Sequence, residues 1–339
     1  MKHRKFGRIP LPVSEVSLNT ARFGWFTDQT ESFALLDAYY TCGGTFLHTL
    51  GDPAGAGSAS RVPSASEDIV ADWRTSRGVA RDTVVIAARL NLAGVDEGGS
   101  GLATAQLIRE ACERSLRRLR SPHVDFLVCD RNDLTAPTDE ILEAIDGLVR
   151  AGWVRYAVAD GFPPWQAVDS LYRSRMGHGV GFDGMKTEFS LLNANGPEAY
   201  ALTLAGEHRL GFIAASPLAD GFLARSTAAV RKRTHLDRDW TGGRASGSVL
   251  DRVLSVLAEI ADKRLATPSQ IALAWVLHHP QVSSAVISPA NPAELRELAR
   301  ATSFQLTAEE ADMLATAAAA HAAPEPAGAH PTAGELEVV

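Results

Sequence analysis

Short apolar runs alternate with amphipathic segments along most of the chain, and this alternation constrains the fold more than any other feature. The runs are EVSLNT (15–20), TFLHT (45–49), TVVIAARL (83–90), VDFLVCD (124–130), VRYAVAD (154–160), GMKTEFS (184–190), LGFIAASPL (210–218) and SSAVISP (283–289). They read as strands buried on both faces. Between them, residues 103–119 and 138–150 space their apolar side chains for one buried helix face. Thr138 with Glu140 and Glu143, and Pro268-Ser269-Gln270, mark helix starts, while Gly152 after Arg150 marks a stop. Repeated strand–helix alternation implies parallel strands joined by right-handed crossovers. Eight strands is the number that closes a (β/α)8 TIM barrel. An open doubly wound sheet is the alternative, but no G-x-G-x-x-G follows the first strand.

One barrel domain is expected over residues 1–316. The polar, glycine-containing segment 225–247 reads as a long loop near the barrel mouth, and the Ala/Pro-rich stretch 317–339 as a disordered tail. With 339 residues, 45% of them hydrophobic, one large core is within reach. A net charge of −7 gives no electrostatic reason to expect nucleic acid or an anionic membrane as partner. No run reaches the roughly 18 apolar residues of a membrane span, and the basic start MKHRK has no apolar stretch behind it that would mark a secretion signal. The three cysteines, Cys42, Cys112 and Cys129, show no C-x-x-C spacing. Reduced thiols in a cytoplasmic setting are therefore expected, with neither a disulfide framework nor a metal site. The expected partner is a small-molecule substrate, and a homo-oligomer is left open.

The segments HRKFGRIPLPVSEVSLNT, SLRRLRSPHVDFLV, LVRAGWVRYAVADGF, FIAASPLADGFL, SQIALAWVLHHP and LTAEEADML resemble, in order and spacing, the aldo-keto reductases. The likeness runs from about Lys2 to Thr316. It implies a (β/α)8 barrel and a metal-free reduction of carbonyls with NADPH. It also implies an Asp and a Tyr after the second barrel strand, a Lys at the end of the third and a His at the end of the fourth. In this chain the Asp falls on His48, the Tyr on or near Pro53, the Lys on Arg89 and the His on Asp130, and no tyrosine lies between Tyr40 and Tyr156. The Ser-Asn pair and the Gln that hold the nicotinamide fall on Asp160-Gly161 and Lys186, and its stacking aromatic on Ala215, while Ser216-Pro217-Leu218 is kept. Where the family grips the cofactor phosphates and adenine stand Ser288, Ala290, Asn291 and Leu298.

The strand ends nonetheless carry ionisable residues, on the face where such barrels keep their active sites. His48 and Asp130 are the acid/base candidates, expected to face each other across the mouth, with a pH–rate limb near the ordinary imidazole range of roughly 6 to 7. Arg89 would stabilise an enolate or carboxylate. Asp52, Trp25, Asp160, Lys186 and Glu188 are the substrate-binding candidates, and Phe26, Trp240 and Phe162 could join Trp25 in an apolar wall. Lys186 reads as a charge partner or anion-binding group rather than a Schiff-base lysine. Cys129 should point away from the barrel axis, into the helix layer. The structural alternative is that Arg89–Asp130 and Lys186–Asp160 are simply satisfied ion pairs. From these residues the expected function is cofactor-independent acid/base chemistry: a dehydratase, cyclase or other lyase, or an isomerase, serving a biosynthetic tailoring step, with no cofactor. The alternatives are an NADPH-dependent carbonyl reductase with an atypical site, and a non-catalytic binding or scaffold protein.

Overall fold

The computed structural model describes residues 1–51, 65–90, 101–131, 136–194, 197–224 and 247–319. Eight strands close into a barrel: β3 (Val16–Asn19), β4 (Phe46–Leu50), β5 (Val85–Arg89), β6 (Val124–Asp130), β7 (Val154–Asp160), β8 (Gly184–Glu188), β9 (Gly211–Ala215) and β10 (Val282–Ile287). Every neighbouring pair is parallel, and β10 closes back on β3. The fold expected from the alternation is therefore the observed one. The helices that alternate with the strands are α1 (Gln29–Thr41), α2 (Ser66–Arg77), α3 (Gly101–Leu119), α4 (Thr138–Arg150), α5 (Pro164–Arg175) and α6 (Pro197–His208). They are followed by α7 (Gly247–Arg264), α8 (Pro268–His278), α9 (Pro292–Ala299) and α10 (Ala308–Ala318). Helix α10 ends two residues past the expected boundary at 316. Residues 225–246 and 320–339, the expected loop and tail, lie outside the described residues.

Two cores follow from strand parity. Residues facing outward from the barrel, such as Leu47, Ile86, Leu127 and Phe212, join the helices in one large cluster. The inward residues Phe46, Val85, Phe126, Val158 and Ile213 form a second. A hairpin of β1 (His3–Phe6) and β2 (Ile9–Ser14) plugs the N-terminal end of the barrel with Phe6, Ile9 and Val13. Its turn needs Gly7, whose φ is +56° and whose position would set a Cβ 2.4 Å from Gly211 N. The Phe6 ring fits because Gly184 and Gly211 have no side chains, since a Cβ on either would lie within 2.5 Å of it. Tyr39 ties this end together: its hydroxyl reaches Ser14 Oγ and donates toward the Val16 and Phe46 carbonyls. With the lower end plugged, the opening is at the C-terminal strand ends. Among the described residues no helix is long and apolar enough to cross a membrane.

Candidate functional site

The same parity that fills the lower barrel with Phe46 and Phe126 sends every second residue above them inward. On β4 this brings in His48, on β5 Arg89, on β6 Asp130, on β7 Asp160, and on β8 Lys186 and Glu188. The alternate residue Cys129 points into the outer core, as expected, and burial pushes its thiol up to about 12. Phe162, expected in an apolar pocket wall, instead packs in that outer core with its ring 5.1 Å from Phe182.

Four rim residues occupy four consecutive strands in the order cation, anion, anion, cation. Arg89 Nη2 lies 2.8 Å from Asp130 Oδ2, and Lys186 Nζ lies 2.6 Å from Asp160 Oδ2. Asp130 and Asp160 are direct register partners, and so are Asp160 and Lys186. The two ion pairs of the structural alternative are thus both present. In each pair the carboxylate side chain is the more buried member, at 8% exposure against 35% for Arg89 and 17% against 20% for Lys186. Glu188 ends β8 opposite Ala215 and is partly buried.

His48 sits one layer lower. It is buried, its Nε2 lies 3.1 Å from Ser17 Oγ, and its ring packs 4.7 Å from Phe46. Burial, with the positive charge of Lys186 acting in the same direction, pushes its pKa down to about 3. The imidazole is therefore neutral throughout the physiological range, below the window expected from the sequence. The hydrogen bonds of His48 lead to Ser17 rather than Asp130, so the structure does not join the two expected acid/base partners.

Trp25 and Phe26 lie between β3 and α1, at the mouth, both about half exposed, with ring centroids 4.0 Å apart. The Arg22 guanidinium lies 4.3 Å from the Phe26 ring centroid. Asp52 and Trp240 lie outside the described residues. Sequence reading missed Ser17 and Asn19, although their inward parity was a usable signal. Asn19 Nδ2 donates to Ser288 Oγ at 3.1 Å, joining the ends of β3 and β10. Sequence reading named Ser216-Pro217-Leu218 but missed the conformation of that turn after β9, where Ser216, Ala219 and Asp220 all take left-handed φ values of 45°, 47° and 53°.

None of the five tyrosines lies at a C-terminal strand end of the barrel. Tyr39 is buried at the plugged end, Tyr156 packs against Phe126 in the lower barrel, and Tyr40, Tyr172 and Tyr200 are exposed on α1, α5 and α6.

Residues 15–319 match the profile described as the Aldo/keto reductase family. An uncharacterized oxidoreductase of Bacillus subtilis, YrpG, is 28% identical over 322 residues, covering 93% of this chain and 95% of its own length. The versiconal hemiacetal acetate reductase of Aspergillus parasiticus is 28% identical over 311 residues, 83% of this chain and 86% of its own. A probable voltage-gated potassium channel subunit beta of Arabidopsis thaliana is 26% identical over 303 residues, 88% and 90% of the two chains. These matches overturn the expectation of cofactor-independent acid/base chemistry. The family is one of reductases, and two of these relatives are named as an oxidoreductase and a reductase, so the lyase, dehydratase and cyclase assignments fall, and with them the expectation of no cofactor. Charged strand ends misled because a structural ion pair and a catalytic one look alike in sequence.

Proposed function

The chain belongs to the aldo/keto reductase family, and on that premise we propose that it is an NADPH-dependent reductase of a small carbonyl compound, working with an atypical set of rim residues. The observation that carries this reading is the family match over residues 15–319, coinciding with a closed barrel whose C-terminal strand ends gather the cations Arg89 and Lys186.

The residues present suit such a cofactor unequally. The turn after β9 has the open space: its backbone is left-handed from Ala219 to Gly221, and a Cβ at Gly221 (φ +90°) would meet nothing within 4 Å, although the Ala219 and Gly221 amides donate to Ser216 O and Leu218 O and the Asp220 carboxylate accepts from Ser216 Oγ. The start of α9 is closed. Asn291 Oδ1 accepts from the Ala293 and Glu294 amides, and the Glu294 carboxylate accepts from Ala290 N–H. Those donors are taken, and a negative charge stands among them. In this reading the turn Ser216–Gly221 holds the phosphates.

A bound dinucleotide would supply a hydride for the carbonyl carbon. Arg89, anchored by Asp130, directs N–H donors toward the oxygen on which charge develops. Neutral His48 and its Ser17 partner form the floor, and Trp25 with Phe26 offers an apolar wall to the rest of the substrate. The positions that carry the family's Asp, Tyr, Lys and His are all changed in this reading. The test is turnover: purified protein with NADPH and a panel of aldehydes and ketones should consume dihydronicotinamide absorbance only when a carbonyl is present. Carbonyl-independent or zero consumption across the panel sinks the reading. The channel-subunit relative favours a second role as a subunit of a larger assembly, which native mass spectrometry of complexes isolated with the chain would test.

A further inference from the structure

Reduction of a carbonyl needs a proton as well as a hydride, and the described rim has few groups that can give one. None of the five tyrosines is carried by a strand end of the rim. His48 is buried and neutral. Arg89 carries a guanidinium, which keeps its protons in proteins. Asp130 and Asp160 are the accepting halves of ion pairs.

Lys186 is different. Strand parity turns it inward, since its neighbour Met185 lies in the outer core. Its side chain is 20% exposed, so it borders the mouth without standing free in solvent. Of its three N–H donors, one points to Asp160 Oδ2 at 2.6 Å, and its charge is felt at His48, on the far side of the barrel. Among the five lysines, it is the one on a described barrel strand: Lys2 and Lys5 belong to the N-terminal region, Lys263 to α7, and Lys232 lies outside the described residues.

We propose that Lys186 is the proton donor of the reaction, with Asp160 holding its ammonium in place; this rests on the reductase reading above. With a hydride supplied to the carbonyl carbon by the reduced nicotinamide dinucleotide, the C=O π pair moves to oxygen. The oxygen takes a proton from Nζ, and the amine left behind regains one from solvent. Two electrons and two hydrogens enter the substrate, and none is left over. Asp160 is a positioning residue here.

Lys186→Arg separates this role from a structural one, because it keeps the charge and can keep the Asp160 contact but cannot release a proton at neutral pH. With 4-nitrobenzaldehyde and NADPH, Lys186→Arg should lower kcat by about 10²- to 10⁴-fold. Its NADPH Kd, read by fluorescence titration, should stay within about threefold of the parent's. In Lys186→Gly, added ethylammonium should restore turnover in proportion to its concentration while leaving the parent unchanged. A Lys186→Arg protein within about threefold of the parental kcat, or a folded Lys186→Gly protein that ethylammonium does not rescue, overturns the assignment while the reductase reading stands. A parent that neither binds NADPH nor reduces the aldehyde removes that reading, and the assignment with it.

Discussion

Arg89 lies opposite Val128 in the β5–β6 register, yet its guanidinium reaches past that residue to Asp130, two positions nearer the mouth, at 2.8 Å. The contact is a diagonal across two strands, so it orients the arginine along the rim. Asp130 is the buried partner, and removing the cation leaves its carboxylate in a poorly solvated place. Arg89→Met should therefore destabilise the protein by about 1–3 kcal/mol in urea unfolding, and should lower kcat and kcat/KM for the carbonyl substrate together. Unchanged stability together with unchanged kcat/KM would show that the pair neither supports the fold nor faces the reacting oxygen.

His48 gives a pH signature with a defined sign. Its pKa falls from 6.5 in the unfolded chain to about 3 in the fold, so below pH 6.5 the unfolded chain binds the extra proton. The stability linked to His48 is complete above that value and is lost as the pH drops toward 3, with a slope approaching 1.4 kcal/mol per pH unit. Asp183 opposes it over part of this range. Burial raises its pKa to about 6, so its contribution is present at low pH and is lost as the pH rises through 6. The clean comparison is parent against His48→Gln in urea unfolding between pH 4.5 and 7. The acid loss should be shallower in the variant, whereas parallel curves would mean that His48 titrates normally.

The hydroxyl of Tyr39 serves Ser14 Oγ, Val16 O and Phe46 O in a buried setting. Tyr39→Phe leaves those groups without that partner and should cost about 1–3 kcal/mol, with kcat unaffected because the site is at the plugged end. A drop in kcat at full folding would place Tyr39 in communication with the mouth.

Gly211→Ala tests the plug itself. The new Cβ would lie 2.1 Å from Phe6 Cε1, so the ring must shift in a packed interior. About 1–3 kcal/mol of destabilisation is expected, relieved when combined with Phe6→Leu. A neutral single substitution would show that the hairpin does not press on β9.

Much of the barrel was legible because buried parallel strands leave continuous apolar runs. The bounds of β6 and β7, Val124–Asp130 and Val154–Asp160, coincide with the runs, and parity alone sent Asp130 inward and Cys129 outward. Both ion pairs were legible as opposite charges at neighbouring strand ends. The depth of His48 was not, since a run of apolar letters does not say which layer of the barrel a residue occupies. Nor was the plug: the prolines and the turn glycine of HRKFGRIPLP carry no periodicity that says where a hairpin docks. Function misread for a related reason. Individual substitutions at the rim were taken as loss of an activity, although residue type alone does not distinguish a replaced part from a missing one.

The central claim is that this barrel binds and uses a nicotinamide dinucleotide. Titration with NADPH, following energy transfer from tryptophan to the dihydronicotinamide and confirmed by equilibrium dialysis, tests it most directly. Saturable one-site binding with a Kd of about 1–100 μM, in the range of ordinary enzyme–substrate affinities, is the predicted result. Absence of saturable binding up to about 1 mM would contradict the account.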